Sequence, residues 1–284
     1  MILVTGAAGF LGRYLCAHLR SERLAYIGID RDTCDIRDAS AVAQLFRTNQ
    51  IDSVIHLAAV LPSAAQLDPA HATSVNIQGS LHLLEAAARS GVSRFVFGSS
   101  GSVYGSARGE RPLTEEDRPA PTDIYGAAKR YVEMCGEIIG QDHGFQFISL
   151  RLAIVVGPDT RSATSPWRSE IFEKPGSGTR QRITLPFAAD AVLSMIHVED
   201  VARILLLLAV QDHPAAVYNS PSENWTAQSL REFVEKLDPN VTVELSPSGR
   251  IAAAVADGSK FVRDFAWTAP SLADRLTAAR NRDR

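Results

Sequence analysis

Cysteine is scarce. Cys16, Cys34 and Cys135 are the three in 284 residues, odd in number and scattered. They make no disulfide framework and no metal-ligand spacing, so the chain suits a reducing cytoplasm and no metal site is expected. Surplus positive charge is missing too. The net charge is −3, with 29 Lys and Arg against 32 Asp and Glu, so no basic field draws in nucleic acid. Long apolar runs are lacking. The longest aliphatic stretch, Ile204 to Val210, is far too short to span a bilayer, so no membrane partner is expected. The chain opens directly on Met1-Ile2-Leu3-Val4, which reads as a strand and not as a signal peptide. Repeats and low-complexity tracts are absent.

What is present is an alternation of apolar strands and amphipathic helices. Strands are expected at Met1–Thr5, Ala25–Asp30, Ser53–Ala58, Arg94–Gly98 and Phe145–Leu152. Helices are expected at Phe10–Ser21, Ser40–Thr48, Ser74–Ser90 and Asp123–Gly140. This pattern predicts an α/β fold: a doubly wound parallel sheet of Rossmann type, covered on both faces. Asp30 and Asp35 stand too close for a crossover helix between them, so a strand there would be vestigial or directly continuous. Residues 1–156, completed by about 194–220, would bind a dinucleotide. Residues 157–193 and 221–284 would form a lid and a small C-terminal substrate-binding domain. Within them, Trp167–Glu173 reads as a short helical patch, Thr226 as a helix cap and Val241–Leu245 as a strand.

Val4-Thr5-Gly6-Ala7-Ala8-Gly9-Phe10-Leu11-Gly12 is a glycine-rich turn between strand and helix. Gly6 permits the tight turn, Gly9 lets backbone approach a pyrophosphate, and Gly12 lets helix and strand pack closely. The helix start at Phe10 and Leu11 offers free N–H groups to the phosphates. Asp30, ending the second strand, can bond both adenosine ribose hydroxyls and repel a 2′-phosphate, which favours NAD. Arg31 leaves NADP open, because a guanidinium can pair with that phosphate.

Downstream, Phe95–Gly105 is a strand that emerges into a turn of small residues. Tyr125-Gly126-Ala127-Ala128-Lys129 places a phenol and an ammonium one helical turn apart on one face. Ser100, Tyr125 and Lys129 make a catalytic set. Tyrosine normally titrates near about 10, and a neighbouring ammonium and a cationic nicotinamide ring would favour the phenolate. Tyr125 would then take a hydroxyl proton while hydride leaves the same carbon. Ser100, with Ser102 beside it, would hold the substrate oxygen. Lys129 would also hold the nicotinamide ribose.

With these segments in view, the chain resembles the extended short-chain dehydrogenase/reductases, the NAD-dependent epimerase/dehydratase group, from Met1 to roughly Asn219. The carriers are Thr5–Gly12, Asp35-Ile36, His56-Leu57-Ala58-Ala59, Asn76, Ser99–Gly105, Tyr125–Lys129, Arg151 and His197-Val198-Glu199-Asp200. The resemblance implies that Asp35 and Ile36 flank the adenine, and that Leu57, Ala58 and Ala59 line the cofactor channel. It implies that His56 and Asn76 hold loops in place, and that His197 and Asp200 are helix-start residues. The short Asp30–Asp35 link is similar to that of dehydrorhamnose reductases, which take NADH or NADPH. It also implies a homodimer built on Ser74–Ser90 and Asp123–Gly140, with Val75, Leu81, Leu84, Val132 and Ile138 giving apolar faces.

The substrate half departs from the nucleotide-sugar members of the group. Ile154 stands where they typically carry Asn, and Ala191–Ile196 lacks their arginine; an apolar side chain cannot replace a donor to a diphosphate. Leu150–Gly178 instead looks like the branch acting on small acids, which includes sugar-acid and threonine dehydrogenases. Arg161, Arg168, Arg180 and Arg182 are candidate cations for a carboxylate, with Arg168 favoured because it opens the helical patch. The expectation is an oxidoreductase acting on a small, carbohydrate-like sugar, sugar acid or hydroxy acid. The alternative is a nucleotide-sugar 4-epimerase or dehydratase with tightly bound NAD. A cofactor-sensing regulator is disfavoured, since Tyr125 and Lys129 are both intact.

Overall fold

The computed structural model describes residues 1–105, 111–160, 164–176, 179–212, 215–247 and 254–281. β1 (Ile2–Thr5) turns into α1 (Phe10–Ser21). β2 (Tyr26–Ile29), α2 (Ala39–Thr48) and β3 (Ser53–His56) follow. Next come α3 (Pro62–Leu67), α4 (Pro69–Thr73), a π-helical turn (Ser74–Gly79) and α5 (Ser80–Arg89). β4 (Arg94–Ser100) ends in a 3-10 turn (Gly101–Tyr104), and α6 (Ile124–His143) leads to β5 (Gln146–Leu152). β6 (Ile154–Val156), α7 (Trp167–Glu170), β7 (Gln181–Leu185), β8 (Val192–His197) and α8 (Val198–Val210) come after it. β9 (Val217–Asn219), β10 (Glu223–Thr226), α9 (Ala227–Leu237), β11 (Val241–Leu245), α10 (Ser259–Phe265) and α11 (Leu272–Asn281) complete it.

The main sheet runs β2-β1-β3-β4-β5-β9 with every pair parallel. This is the doubly wound sheet that the alternation predicts. Strand periodicity shows why both faces must be covered. Ile2, Val4, Ile55, Val96 and Ile148 point to one face and pack with α1 and with α8 through Leu15, Leu19, Ile204, Leu205 and Leu208. Leu3, Val54, Phe95, Phe97 and Phe147 point to the other and pack with Val42, Phe46, Leu83, Leu84 and Val132 of α2, α5 and α6. A strand buried on both faces reads as a near-continuous apolar run, and here the interruptions fall mostly towards the strand ends, where Thr5, His56, Ser99 and Arg151 are buried with polar partners. The edge strand β9 is covered by α10, whose Phe261 ring meets Tyr218 at 5.6 Å. A third core joins β6, β7, β8, β11, α9 and α11 around Trp167, Ile183, Leu193, Leu230, Val243 and Leu276. It is framed by a three-stranded sheet, β10-β8-β6, and a parallel pair, β11-β7. No helix among the described residues is long and apolar enough to cross a membrane.

Several expectations are corrected. The vestigial strand after Asp30 is missing altogether: turns occupy the link, Asp38 caps α2, and α2 itself is the crossover to β3. The single helix expected over Ser74–Ser90 is broken by the π-turn, and two short helices precede it, each begun by a proline at its first position. The helical patch at Trp167 is a single turn ending at Glu170. Strands β7 and β10 went unforeseen. Each is short and partly exposed, and each is paired with a distant partner. Leu84 and Val132 are fully buried within the subunit, so they offer no face to a second copy.

Candidate active site

The glycine turn is set against the loop after β3. Gly6 has φ +69°, and a Cβ there would lie 2.8 Å from Ala58 N, so only glycine fits both the backbone and the contact. At Gly12 a Cβ would come within 2.1 Å of the Gly6 carbonyl oxygen, which is the close packing foreseen. The start of α1 has Gly9 as its cap, no side-chain hydrogen bond and no acidic residue in its first turn. The helix end at Phe10 and Leu11 therefore keeps its partial positive charge for an anion, and these residues suit a pyrophosphate.

Asp30 stands just past β2 in a hydrogen-bonded turn. Its Oδ1 accepts from Asp32 N at 3.0 Å, and its own N–H donates to Thr33 Oγ1 at 2.9 Å. The Arg31 side chain is 79% exposed and lies 3.5 Å from Asp32. Asp35 is gripped by Arg37, whose Nε donates to both carboxylate oxygens at 3.0 Å. That partner holds the Asp35 carboxyl down to about 2. Ile36 is buried and packs onto Gly79 of the π-turn. Leu57, Ala58 and Ala59 lie half-buried beside the glycine turn.

Across the cleft, β4 delivers Ser100 at its carboxyl end, and α6 delivers Tyr125 and Lys129 from its first two turns. Asp123 fixes that helix start by accepting from Gly126 N at 2.7 Å. Ser100 stands beside the Tyr125 phenol and pulls its titration down. Its Oγ also accepts from Ser102 N at 3.1 Å and donates to Ser102 Oγ at 3.2 Å. Lys129 is 4% exposed. Its Nζ donates to the Gly98 carbonyl at 2.7 Å and sits 4.5 Å above the Phe97 ring. Ser100, Ser102, Tyr125 and Lys129 thus come together.

The electrostatics differ from expectation in one respect. Burial pushes the Tyr125 phenol up to about 12, and Arg168, not Lys129, is the cation that pulls it down. Burial also lowers Lys129 to about 7, partly opposed by Glu133. An ammonium that is itself desolvated cannot by itself make a phenolate in the ligand-free chain.

Behind these groups lies a buried network that sequence reading missed. Glu133, one turn beyond Lys129, takes Arg151 bidentately: Nε to Oε1 at 2.9 Å and Nη2 to Oε2 at 2.8 Å. Ser99 donates to Glu133 Oε1 at 2.7 Å, and Arg151 Nη1 donates to the Tyr104 hydroxyl at 2.8 Å. Tyr104 donates onward to Asn219 Oδ1 at 2.9 Å. The network ties β4, β5, β9 and α6 together directly beneath the serine turn. The i, i+4 spacing of Lys129 and Glu133 was the available signal.

The lid places its arginines differently. Arg168, on α7, is half-buried, near enough to Tyr125 to act on its phenol and 5.9 Å from the Trp167 ring. Buried Arg280 of α11 anchors that turn by donating to the Ile171 carbonyl at 3.0 and 3.2 Å. Arg182 pairs with Glu244 at 2.8 Å on the exposed β7–β11 surface, and Arg180 is exposed. Arg161 lies outside the described residues. His197 caps α8, and Asp200 in its first turn pairs with Arg275 at 2.6 Å.

A parallel sheet with a glycine turn at its first crossover, facing a Ser/Tyr/Lys cluster at the carboxyl ends of its strands, defines a dinucleotide-binding fold. The model of the NAD dependent epimerase/dehydratase family matches residues 2–219, and the chain belongs to that family. Among its relatives is the UDP-glucose 4-epimerase of Neisseria gonorrhoeae, 34% identical over 184 residues, 55% of this chain. The match takes in only about half of that epimerase, 53% of its length. The mitochondrial L-threonine 3-dehydrogenase of Bos taurus is 25% identical, over 94% of this chain and 78% of its own. The L-threonine dehydrogenase structure from Phytophthora infestans shares the fold at TM-score 0.88 and 23% identity, over 98% of this chain and 97% of that one.

Proposed function

We propose that the chain is an NAD-linked oxidoreductase that exchanges hydride with the hydroxyl-bearing carbon of a small acid, such as a sugar acid or hydroxy acid. The observation that carries this reading is the convergence of Ser100 at the end of β4 with a buried Tyr125 and with Lys129 one turn on, its Nζ held by the Gly98 carbonyl at 2.7 Å, while Arg168 on the lid turn is the cation that lowers the same phenol. When bound, the nicotinamide supplies the hydride acceptor or donor. Ser100, with Ser102 beside it, holds the substrate oxygen. Tyr125 takes the hydroxyl proton in oxidation and returns it in reduction. Lys129 holds the nicotinamide ribose and adds positive charge beside the phenol. Gly6, Gly9, Phe10, Leu11 and Gly12 hold the pyrophosphate, Asp30 the adenosine ribose, Asp35 and Ile36 the adenine, and Leu57 to Ala59 the channel wall. Asp30 in its turn and the outward Arg31 favour NAD over NADP. Residues 1–156 with 194–220 serve the cofactor; residues 157–193 and 221–284 serve the substrate.

Arg168 decides the substrate class. Among the described lid arginines it is the one whose charge lowers the phenol, while Arg182 has Glu244 and Arg180 faces solvent. Ile154 and Ala191–Ile196 offer a diphosphate no cation. The relatives leave a second reading, an epimerase acting on a nucleotide sugar, which would show no net NADH formation. We further propose a homodimer through α6, where Ile124, Tyr131, Met134 and Ile138 form an exposed stripe, 41 to 57% accessible. A cytoplasmic setting suits three unpaired cysteines.

The test is kcat/KM with NAD+ for a panel of sugar acids, threonine and other small hydroxy acids, against UDP- and dTDP-sugars, in wild type and Arg168→Ala. Small acids should win, and the variant should raise their KM at least tenfold while changing kcat less. Turnover of a nucleotide sugar alone would replace this reading with the epimerase.

A further inference from the structure

Behind the cofactor loop a line of hydrogen bonds runs in one direction, and donor counting fixes that direction. Thr5 Oγ1 accepts two backbone N–H groups, from Leu57 and Ala58, each at 3.1 Å. With both lone pairs engaged, its proton goes to His56 Nδ1 at 2.7 Å. A neutral imidazole that accepts at Nδ1 carries its proton on Nε2, which donates to Ser80 Oγ at 2.8 Å. Ser80 then donates to the Asn76 carbonyl at 2.7 Å, while its own N–H turns to the Ile77 carbonyl at the end of the π-turn. The Asn76 side chain closes the line on Val60: Nδ2 donates to Val60 O at 2.9 Å, and Oδ1 accepts from Val60 N at 2.7 Å.

The four side chains are shut away from water, at 0% exposure for Thr5 and His56, 1% for Ser80 and 4% for Asn76. The His56 ring lies between Phe95 and Phe97, at 6.1 and 5.6 Å. The line begins one residue before Gly6 and grips residues 57–60, the loop whose Ala58 N would lie 2.8 Å from a Cβ on Gly6. It therefore joins the two walls between which a dinucleotide would pass. No step of the proposed chemistry uses any of its members.

We propose that Thr5, His56, Ser80 and Asn76 are positioning residues for the dinucleotide: a one-way hydrogen-bond chain, with His56 neutral and protonated at Nε2, that sets the gap between the glycine turn and loop 57–60 before the cofactor arrives. None of the four touches the reacting atoms; they act through the loop. Burial, and then the Lys129 charge, push His56 down to about 3, so the ring stays neutral across the working range of pH. A charged ring would have a donor at both nitrogens and would collide with the proton that Thr5 must give away. Preorganisation of this kind lowers the cost of ordering the loop on binding, so it appears in cofactor affinity.

The experiment uses the full chain, free of cofactor. Through-bond ring 15N spectra of wild type should show His56 as the Nε2–H tautomer, unchanged from pH 5 to 8. Calorimetric titration with NAD+ should find Thr5→Val and Ser80→Ala each weakened about five- to tenfold, the worth of one buried hydrogen bond. Thr5→Ser, which keeps the hydroxyl, should stay within twofold of wild type. Because either break disables the same line, the double variant should be no more than about twofold worse than the weaker single. An Nδ1–H ring, a ring that charges between pH 5 and 8, unchanged affinity in Thr5→Val, or losses that multiply in the double variant would each overturn the proposal. The ring spectra decide it on wild type even where a variant fails to fold.

Discussion

Removing Glu133 should unfold this protein more readily than removing any residue that touches the proposed substrate. Glu133 and Arg151 have side chains only 1% and 2% exposed, and two bonds of 2.9 and 2.8 Å join them. The same carboxylate also accepts from Ser99 at 2.7 Å and from Arg130 at 3.1 Å, so both of its oxygens are fully used. Deleting one partner of a buried pair leaves the other charge without compensation, at about 3–5 kcal/mol. In Glu133→Ala, Arg151 would keep only the Tyr104 hydroxyl in place of two carboxylate oxygens. With about 2–4 °C per kcal/mol in a domain of roughly this size, the melting temperature should fall by about 6–20 °C. Arg151→Met should cost a similar amount, because it strands the carboxylate. The double variant Glu133→Ala/Arg151→Met should cost much less than the sum, since no unpaired charge is left in the core. Urea denaturation of the four proteins, read by far-UV circular dichroism, gives the cycle directly. A Glu133→Ala loss below about 1 kcal/mol, or additive losses in the double variant, would refute the reasoning. The pair also bears on the site: Glu133 raises the affinity of Lys129 for its proton, so Glu133→Gln should move Lys129 further below its present value near 7.

Tyr125→Phe should remove turnover by about 10²–10⁴-fold while leaving NAD+ affinity within a few-fold, because the hydroxyl is the proposed proton carrier and the ring keeps its packing on Ala65 and Ala72. Stopped-flow turnover with calorimetric binding checks both halves, and near-wild-type turnover would sink the assignment. Lys129→Met should change how ligand-free stability depends on pH. Lys129 titrates near 7 when folded and at its ordinary 10.5 when unfolded, so between those values the unfolded chain binds the extra proton. Wild-type stability must then gain on the variant as pH rises from 7 to 10, and parallel curves would contradict the buried ammonium.

The fold was legible because its signals are local. Each strand of the main sheet announces itself as a short apolar run, and each long helix shows one apolar stripe, so alternation alone gave the doubly wound class. The misses have equally physical causes. The helix expected over Ser74–Ser90 keeps its periodicity in sequence, yet Asn76 spends its side chain on Val60 and Ser80 bonds back to Asn76, and the π-turn follows. Strand β7 has only five residues, and its partner β11 lies about sixty positions on, so nothing nearby marks it as paired. Leu84 and Val132 look like surface contacts in a helical stripe, but that stripe faces the sheet. The exposed apolar positions of α6 lie on its other side.

The site divides in the same way. The proposed cofactor half is encoded in contiguous words, Gly6 to Gly12 and Tyr125 to Lys129, because a turn or one helical turn suffices to place those groups. Its support is not contiguous. Thr5, His56 and Ser80 lie 51 and 24 positions apart in the chain, and they meet only because β1, β3 and α5 pack together. The substrate half is more remote still. Arg168 sits on one turn of helix, too short to hold itself, and Arg280, 109 positions beyond Ile171, secures its end. A single helical turn has no stability of its own, so the position of Arg168 is a property of the last helix of the chain as much as of the lid. That is why the substrate class could be only weakly read from residues 150–182, and why the arginines that composition made equivalent, Arg168, Arg180 and Arg182, end in three different environments. On the proposed reading, the packing of α11 helps set where Arg168 stands relative to Tyr125, and substrate choice would then change through residues that never approach the substrate.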